Sequence, residues 1–402
     1  LPAFLRQTER RGGMIRIGVC GLGFRVGQLI RESLNACNID FRVVGVVDPD
    51  EPRARSLMRA EDRDAKFFSS AGEMIRTAKP DALMVGTHCH LHTPYALELE
   101  KYHLPIFLEK PVANSMEQAL ELERVYRNST TPVLVSFPLR LTPLHRRAAK
   151  MIRTGAVGEV LHITGLNYVP YGTVYYERGY RDFKITQGLF LQKATHDFDY
   201  IMDLAGAPIV NVSANWLRGR VFGGKRPAGL HCSECPESET CRESPENRRR
   251  NTSGGVCEDH LCVFSEACGN VSNGINEEAS NSIFEFGNGA IGTYAQLFFI
   301  RRQGMRGAIV SGTEGKLSFD WYTNELNYVE HHAPYESKIS PASSPDHFGG
   351  DIELARNFFD MIRNGDSPAA SIRDGLRSVF TCLAAREAAM TGRRVPVRQI
   401  KW

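Results

Sequence analysis

Cysteines are concentrated in one short stretch of the chain, residues 231–241, which reads HCSECPESETC. Cys232 and Cys235 have the spacing of the tight pair that begins most zinc sites, and Cys241 supplies a third thiol. Because thiolates at this spacing are good zinc ligands, the stretch indicates a metal site.

A closed tetrahedral zinc site needs a fourth ligand. Three cysteines and two histidines compete for that position: Cys257, Cys262, Cys268, His231 and His260. We favour Cys262, because the Cys-Val-Phe sequence that it begins opens an apolar patch where the loop returns. Four thiolates leave no position open for water, so the zinc ion would hold the loop in shape and take no part in catalysis. An iron-sulfur cluster, disulfides and free thiols are the alternatives.

A glycine turn lies near the start of the chain, where the apolar stretch MIRIGVC runs straight into GLGFRVGQLI. Gly21 and Gly23 stand where dinucleotide-binding folds let backbone N–H groups approach a pyrophosphate at the start of a helix. The third glycine of the GxGxxG fingerprint would fall at Val26, but the sequence has Gly27 instead. The turn therefore indicates a nucleotide site through an imperfect match, with a purely structural turn as the alternative.

An acidic residue at the end of the second apolar stretch supports the nucleotide site. Asp48 follows Gly27 by about the 20 residues expected for the acid that binds a ribose 2′-hydroxyl. A carboxylate there repels a 2′-phosphate, so the sequence favours NAD over NADP. Arg53 and Arg55 lie nearby and keep NADP open.

Three histidines alternate in HCHLH, residues 88–92. On a strand, His88, His90 and His92 would share one face, which is a possible metal site. No carboxylate or second cluster lies near them in sequence, so metal binding is the less favoured interpretation.

The composition is that of an ordinary soluble protein of two or three domains, with 402 residues and a formal charge of +3. This charge gives no reason to expect a nucleic-acid partner. No window approaches the roughly 18 apolar residues of a membrane span, and the first residues lack a secretory signal. We therefore expect a cytoplasmic protein with no membrane partner, and in that reducing compartment clustered cysteines favour metal over disulfides.

Apolar β-branched runs alternate with helical patterns from residue 14 to 136, which predicts a doubly wound α/β sheet of the Rossmann type. Later strands follow one another without helices between them, which predicts an α+β domain with an open, mainly antiparallel sheet. We expect a flexible arm over residues 1–13, a nucleotide-binding domain over 14–137, and a second domain over 138–402. A Cys-rich insertion without a core of its own interrupts the second domain at about 218–276.

Several further motifs complete a family pattern. They are Thr87 and His92 after the fourth strand, Glu109-Lys110-Pro111 after the fifth, Arg140, the GAVGEV turn at 155–160, His196 and HFGGD at 347–351. With the glycine turn and Asp48, they resemble the glucose-fructose oxidoreductase and inositol dehydrogenase family (Gfo/Idh/MocA). The resemblance runs from about Ile15 to Val397.

The resemblance implies catalytic roles for Lys110 and His196. A lysine beside the nicotinamide can donate to a substrate hydroxyl and stabilise its oxyanion character, and an imidazole can accept the hydroxyl proton. Many family dehydrogenases place an Asp four residues before this histidine, where this sequence has Gln192. Lys193 is therefore a further candidate catalytic or substrate-contacting residue.

The resemblance also implies a binding set around the reaction. The expected cofactor-binding residues are Gly21, Gly23, Phe24, Arg25, Asp48, Thr87, His88, His92, Glu109, Lys110 and Arg140. The expected substrate-binding residues are Tyr168, Tyr171, Arg178, Arg181, Asp197 and His347.

The implied function is oxidation of a secondary hydroxyl of a sugar, cyclitol or sugar derivative by NAD. The alternatives are an NAD-dependent glycosidase that oxidises, eliminates and re-reduces its substrate, and a non-catalytic regulator on the same fold. We expect a homo-oligomer that associates through the open sheet. Phe284, Phe286, Tyr294 and Phe298 could serve in that interface or pack under helices within the subunit.

Overall fold

The computed structural model describes residues 13–402 except 171, 173, 178, 182, 252–257, 267–275 and 342–346, with only the backbone of 174, 179, 184 and 185. The described residues divide into two compact units. The first contains those of Leu1–Pro143, Ser343–Leu376 and Ile400–Trp402, and the second contains those of Leu144–Ala342 and Arg377–Gln399. A C-terminal stretch thus belongs to the first unit, whereas the sequence placed all of 138–402 in the second domain.

The described part of the first unit contains a six-stranded parallel sheet in the order β3-β2-β1-β4-β5-β6, which confirms the predicted doubly wound fold. Its strands are β1 Ile15–Cys20, β2 Phe41–Val47, β3 Lys66–Phe67, β4 Ala82–Val85, β5 Ile106–Leu108 and β6 Val133–Val135. Strand β4 is buried at all four residues. Continuous burial of this kind explains the apolar runs, because helices cover both faces of such a sheet.

Five helices follow the strands of this sheet within the described residues: α1 Phe24–Leu29, α2 Glu51–Ser56, α3 Ala71–Ala78, α4 His92–Glu100 and α5 Met116–Tyr126. Helix α1 continues through a π turn at Ile30–Leu34 and a 3-10 turn at Asn35–Cys37. Ser70 and Ser115 cap α3 and α5 by accepting backbone N–H bonds three residues ahead.

A helix from the end of the chain completes the core of the first unit. The last helices are α12, Gly350–Asn364, and α13, Ile372–Thr391. Phe358 and Phe359 on α12 are fully buried, and their rings lie 5.6 and 5.5 Å from those of Phe107 and Phe41. Burying each such ring stabilises the fold by roughly 1.5–3 kcal/mol, so α12 is part of the core rather than an appendage.

The described part of the second unit contains a nine-stranded sheet in the order β14-β13-β12-β11-β7-β10-β9-β8-β15. Its strands are β7 Val160–Tyr168, β8 Ile209–Leu217, β9 Ala279–Phe286, β10 Ile291–Leu297, β11 Met305–Gly312, β12 Gly315–Asp320, β13 Glu325–Glu330, β14 Glu336–Ile339 and β15 Val395–Pro396. Strands β7 and β10 pair in parallel, and the other pairs described are antiparallel. The predicted open, mainly antiparallel sheet is confirmed.

The helices of this part of the chain are α6 Pro143–Arg153, α7 Val174–Glu177, α8 Phe183–Thr186, α9 Leu189–Gln192, α10 Ala194–Ala205 and α11 Pro245–Arg250. The four aromatics proposed for an interface or for internal packing, Phe284, Phe286, Tyr294 and Phe298, are all at most 4% exposed. They therefore pack within the subunit. The Phe198 ring on α10, for example, lies 5.2 Å from the Tyr294 ring.

The Cys-rich insertion packs part of its apolar surface against the rest of the second unit. Five residues form a small buried cluster: Tyr176, Leu189, Phe222, Val263 and Phe298. Two of them, Phe222 and Val263, belong to the insertion. Widely spaced aromatic and aliphatic residues make this cluster, which is why no local periodicity predicted it.

None of the helices in the described ranges combines the length and apolar character that crossing a membrane requires.

Candidate active site

Four predicted cofactor residues follow the ends of neighbouring strands in the first unit. Gly21 follows β1, Asp48 follows β2, Thr87 lies just beyond β4, and Glu109 follows β5. Because β1 lies between β2 and β4, and β5 is next to β4, the sheet brings these residues to one carboxyl edge. In doubly wound folds this edge is where nucleotide ligands bind.

Gly21 meets the end of β4 at very short range. Its φ is +79°, and a Cβ there would lie 2.7 Å from the backbone N and Cα of Thr87. Residues that carry a side chain adopt a positive φ only at an energetic cost, and the short distances to Thr87 leave no space for a Cβ atom. The glycine is therefore required twice over, by conformation and by contact.

Val26 stands where the GxGxxG fingerprint has its third glycine, and Gly86, directly after β4, provides the space that this glycine would otherwise give. A Cβ on Gly86 would lie 2.1 Å from Val26 Cγ2 and 3.0 Å from Gly21 O. The helix and strand thus approach as closely as in the usual fingerprint, with the glycine on the strand side. Sequence reasoning missed Gly86, whose signal was its place directly after the apolar run of β4.

Asp48 connects the end of β2 to the glycine turn. Its carboxylate accepts hydrogen bonds from the backbone N–H groups of Leu22 and Asp50, both at 2.9 Å. The guanidinium of Arg53 donates to both carboxylate oxygens, at 2.9 and 3.1 Å. The carboxylate of Asp48, predicted to bind a ribose, is thus paired with Arg53 in this structure.

Arg25 is the centre of a charged network that the sequence did not predict. Its Nη1 and Nη2 donate to the two oxygens of Asp351 at 2.7 and 2.6 Å, and its Nε lies 3.4 Å from Glu109 Oε1. His347 Nδ1 lies 2.9 Å from Asp351 Oδ2. Arg25 therefore joins α1, the loop after β5 and the start of α12, a role that the sequence did not predict.

The environment of Asp351 favours its ionised form. Burial alone would raise the pKa of this carboxyl, but hydrogen bonds from Arg25 and His347, together with their charges, lower the pKa well below its usual range. The side chain is 2% exposed. A buried carboxylate is stable here because both of its oxygens are matched by cationic donors.

His92 holds the loop that carries Lys110. Its Nδ1 lies 2.7 Å from Pro111 O and its Nε2 lies 3.0 Å from Thr87 O, while Thr93 Oγ1 donates to Val112 O at 2.9 Å. The ring is 1% exposed, and burial lowers its pKa. These contacts give His92 a supporting role for the loop, in addition to the cofactor contact that the sequence predicts.

The remaining predicted cofactor residues differ in exposure. Lys110 is half-buried and joined to Pro111 by a cis peptide bond. Phe24 is 70% exposed at the start of α1, and His88 is exposed with its ring parallel to that of His90 at 6.2 Å. Arg140, by contrast, is directed into the protein, where Nη1 donates to Ala369 O at 3.2 Å.

The second unit carries the predicted acid/base histidine on α10. His196 is 6% exposed, and Gln192, which replaces the expected Asp, is 8% exposed at the end of α9. Lys193 lies between the two helices, half-buried, with its Nζ 6.0 Å from the centre of the Tyr175 ring. The three residues thus form one short stretch around the start of α10.

Asp197 fixes α10 to the centre of the sheet. It is fully buried, and its carboxylate accepts from Asn167 on β7, Tyr294 on β10 and Arg306 on β11 at 2.8, 2.8 and 3.0 Å. Arg306 is itself 3% exposed. These internal bonds give Asp197 a supporting role next to His196, and its predicted substrate contact stays a prediction.

The other predicted substrate residues are scattered. Tyr168 lies at the end of β7 and, because strand residues alternate, on the face opposite Asn167 and α10. Arg181 donates to the carbonyls of Cys262 and Ser265, so its guanidinium is directed at the insertion. His347 belongs to the first unit and pairs with Asp351. Tyr171 and Arg178, and likewise Cys257 and Cys268, lie outside the described residues.

The four cysteines chosen as ligands lie around a short antiparallel bridge in the insertion. Cys232 N donates to His260 O at 3.0 Å and Cys262 N donates to Leu230 O at 2.8 Å. This pairing puts the side chains of Cys232, Cys262 and His260 on one face. Cys232 Sγ lies 3.8 Å from both ring nitrogens of His260.

The tight turn after Cys232 brings the second cysteine of the pair close, since Cys235 N donates to Cys232 O at 3.3 Å. Burial, followed by the thiols of Cys262 and Cys241, raises the pKa of Cys232 to about 12. Burial also raises the pKa of Cys262, and the thiols of Cys235 and Cys241 raise it further. All four thiols are free.

No preformed set of metal ligands is found among the described residues. In the part of the chain that the structure covers, no group of three or more His, Cys, Asp or Glu side chains is placed to hold a metal ion. The zinc site predicted at Cys232, Cys235, Cys241 and Cys262 therefore finds no support in these residues, and the histidines of HCHLH form no such group either.

Two family models match the chain. One, described as the oxidoreductase family with an NAD-binding Rossmann fold, matches residues 15–137. The other, described as the C-terminal alpha/beta domain of the same oxidoreductase family, matches residues 149–397. Together they cover most of the chain, in the order of the two sheets.

Individual relatives are distant. YteT of Bacillus subtilis, named as an oxidoreductase, is 23% identical over 90% of this chain and 94% of its own length. An inositol 2-dehydrogenase of Corynebacterium glutamicum is 27% identical, but over only 50% of this chain and 57% of that enzyme. The structure of levoglucosan dehydrogenase in complex with NADH and levoglucosan has a TM-score of 0.75 and 18% identity, covering 96% of this chain and 100% of that one. At that identity the likeness shows a shared fold.

The contact between Gly21 and Thr87 predicts that Gly21→Ala weakens NAD binding about tenfold or more, because positive φ and the close contact together impose a strain of about 1–3 kcal/mol. Fluorescence titration with NAD measures this. Gly365→Ala is the matched control, since Gly365 has a φ of +73° but open space where its Cβ would lie. Equal NAD affinity of the two variants would contradict the prediction.

The network around Asp351 predicts that Asp351→Asn lowers the free energy of unfolding by about 2 kcal/mol at neutral pH, since bonds to charged groups are lost. The folded pKa of Asp351 lies below its unfolded value, so its stabilisation is complete above the unfolded pKa of about 3.9 and declines as pH falls below it. The gap between parent and variant in urea unfolding should therefore narrow below about pH 4. Exposed Asp366, changed to Asn, should leave no such pH-dependent gap.

Proposed function

Because the chain belongs to the Gfo/Idh/MocA oxidoreductase family, we propose that it is an NAD-dependent oxidoreductase acting on a secondary hydroxyl of a sugar, cyclitol or sugar derivative. The observation that carries the proposal is the meeting of the Gly21 turn, Asp48 and the Glu109-Lys110 pair at one edge of the parallel sheet. That arrangement supplies nucleotide binding and a cationic donor in a single place.

The residues of the first unit fit a bound NAD. Gly21 presents backbone rather than a side chain at the end of β1, and α1 begins within three residues of it, so N–H groups face the position of a pyrophosphate. Asp48 offers carboxylate oxygens to a ribose diol. When bound, NAD supplies the acceptor for the substrate's hydride.

Arg53 bears on the choice between NAD and NADP. Its guanidinium rests on Asp48, with side chains that are 45% and 3% exposed respectively. Binding of the ribose diol of NAD to Asp48 requires Arg53 to share or leave that carboxylate. A 2′-phosphate would face the same carboxylate, whose charge repels it, and this supports NAD as the preferred cofactor.

Lys110 is the proposed donor to the reacting hydroxyl. It follows β5 directly, and His92 and Thr93 hold the residues after it through Pro111 O and Val112 O. Such anchoring limits the positions that its ammonium group can reach. A fixed cation stabilises negative charge on the hydroxyl oxygen as the C–H bond breaks.

His196 is the proposed acceptor of the hydroxyl proton. Imidazole titrates near neutral pH, and the Asp197 contacts hold the start of α10 against three strands. Gln192 can orient a hydroxyl through its amide but cannot accept its proton. Lys193 is proposed to assist by contacting the substrate, in place of the acid found in many relatives.

The proposed substrate class follows from the relatives. An inositol dehydrogenase and a levoglucosan dehydrogenase both oxidise, by their names, polyhydroxylated rings. A ring hydroxyl on a cyclitol or a sugar is therefore the substrate we propose for this chain.

The decisive experiment incubates the purified protein with NAD and a panel of inositols, sugars and anhydrosugars, and follows NADH absorbance. We expect NADH with at least one of them, and Lys110→Met should lower kcat by about 10²–10⁴-fold. Lys101→Met, at an exposed lysine after α4, is the matched control and should retain the parent rate.

Aryl glycosides separate the two enzymatic alternatives. Release of nitrophenol that requires NAD but yields no NADH would replace net oxidation with the glycosidase reaction. Absence of any signal from the whole panel, in protein that binds NAD, would remove the oxidoreductase proposal.

A structural zinc ion at Cys232, Cys235, Cys241 and Cys262 is a second part of the proposal. Its support is the Cys-x2-Cys turn and the antiparallel bridge that brings Cys262 to the same face as Cys232.

Self-association through the outer face of the nine-stranded sheet is a third part. Ile283 on β9 and Ile291 on β10 are 62% and 53% exposed, although both lie within strands. Exposed β-branched apolar residues on neighbouring strands favour burial against another sheet.

This face predicts that Ile283→Glu lowers the oligomeric state without unfolding the chain, because a carboxylate would have to lose its water in the interface. Light scattering coupled to gel filtration measures the mass. Leu120→Glu, at a partly exposed residue of α5 in the first unit, controls for added charge. A parent protein that is monomeric would refute the proposed association.

A further inference from the structure

Three consecutive polar residues lie fully buried just before β9: Asn276, Glu277 and Glu278. Each of them is 0% exposed. Burying a polar or charged side chain costs free energy unless it is hydrogen-bonded, so the partners of these side chains indicate their role. None of the three was among the predicted site residues. Their partners belong to the segment that leads into α10 and to the start of the insertion.

Glu277 caps the start of α9. Its Oε1 accepts a hydrogen bond from the backbone N–H of Phe190 at 2.6 Å. Burial raises the pKa of this carboxyl, while the backbone N–H groups of Glu277 itself, Leu189 and Phe190 lower it. The carboxylate therefore depends on α9 for part of its stabilisation. In return it satisfies an N–H group that the first turn of a helix leaves without an intrahelical partner.

The turn between α8 and α9 has an unfavourable backbone conformation. Gln187 has a φ of +58°, which side chains rarely adopt, and Gly188 has a φ of +93°. A Cβ on Gly188 would lie 2.9 Å from Glu277 Oε2, so the carboxylate packs directly against this turn. Backbone of this kind persists only where surrounding contacts hold it in place.

Asn276 and Thr186 provide further contacts to the same turn. Thr186 Oγ1 accepts from Gly188 N–H at 3.3 Å and donates to Asn276 Oδ1 at 3.1 Å. The amide of Asn276 donates to Tyr180 O at 2.7 Å and to Tyr175 O at 3.2 Å. Residues 276 and 277 thus hold α7, the turn before α9 and the start of α9 together.

Backbone bonds connect the start of α9 to the candidate catalytic residues. Gln192 N–H donates to Gly188 O at 3.0 Å, and Lys193 N–H donates to Leu189 O at 2.9 Å. His196 N–H donates in turn to Lys193 O at 3.4 Å. A displacement of the first turn of α9 would therefore move the side chains proposed to contact the substrate.

We propose that Glu277 is a positioning residue for the reaction, because it fixes α9 and through it Gln192, Lys193 and His196. The kinetic consequence of this inference rests on the proposed oxidoreductase function. The structural consequence, that α9 opens more easily without the carboxylate of Glu277, rests on the hydrogen bonds alone.

Glu278 provides a matched control for Glu277. It is equally buried, but its oxygens accept from the backbone N–H groups of Arg220, Val221 and Phe222 at 3.0, 2.9 and 2.5 Å. Those residues lie at the start of the insertion and not in α9. Replacing either glutamate removes one buried carboxylate, so a difference between the two variants reports where each carboxylate is bound.

Amide hydrogen exchange on the full-length protein tests the structural consequence. Glu277→Ala should speed exchange in peptides covering 186–196 by about tenfold or more, because the bond to Phe190 is lost. Glu277→Gln keeps an amide oxygen that can accept this bond, so it should restore most of the protection. Glu278→Ala should speed exchange at 219–223 and leave 186–196 as in the parent. Equal acceleration of 186–196 in both alanine variants, or none in Glu277→Ala, would overturn the proposal.

Thr186→Val covers the case in which Glu277→Ala does not fold. The substitution removes the hydroxyl that binds Gly188 and Asn276, and it keeps a β-branched side chain of similar size. We expect a smaller acceleration of exchange in the same peptides. Exchange identical to the parent in 186–196 would then count against the proposal.

Kinetic constants distinguish the failure of this proposal from the failure of the proposed function. If the chain oxidises a carbohydrate, Glu277→Ala should lower kcat/KM for it by about 10–10²-fold and leave the Kd for NAD unchanged, since small displacements of reacting groups slow catalysis strongly. Glu277→Gln should recover most of the loss. An equal loss in Glu278→Ala would contradict the positioning role. If no carbohydrate is oxidised, the oxidoreductase proposal fails, and hydrogen exchange alone decides whether Glu277 positions α9.

Discussion

The close approach of β1, α1 and β4 is the constraint on which the first unit depends. Gly21 packs against the backbone of Thr87, and Gly86 receives the side chain of Val26, so two glycines allow one helix and two strand ends to meet. At this packing density, neighbouring groups cannot move to accommodate an added side-chain atom. The positions of Asp48, bonded to Leu22, and of Arg25 on α1 follow from that contact.

A different constraint organises the second unit, where charged groups lie deep inside. Asp197 on α10 pairs with Arg306 on the sheet, and Arg248 of the insertion pairs with Glu177 on α7. Removing such charges from water is expensive unless each finds a partner with good geometry. These ion pairs therefore fix the positions of helices on the sheet more narrowly than apolar packing alone would.

The sequence predicted the sheets well and the polar partners poorly. Runs such as those of β1, β2 and β4 are apolar because both faces are covered, whereas β3, β14 and β15 are short or polar and gave no pattern. Gly21 and Asp48 were predicted at the sheet edge because their spacing is local. Arg25, by contrast, binds Asp351, a residue 326 positions away, and no spacing rule specifies such a partner. For the same reason the sequence gives no sign of the internal partners of Arg181 and Asp197.

Helix α12 gives the chain a definite order of assembly. The core that surrounds Phe41 and Phe107 is closed by Phe359 and Phe358, which the ribosome adds only after strands β7 to β14 of the second unit. Domains usually fold as they emerge, from the N-terminus onwards. Here the nucleotide-binding sheet emerges first yet waits, with an apolar surface uncovered, until the second unit has been synthesised. Holding that surface apart from other chains during translation is a burden that the connectivity places on the cell's chaperones.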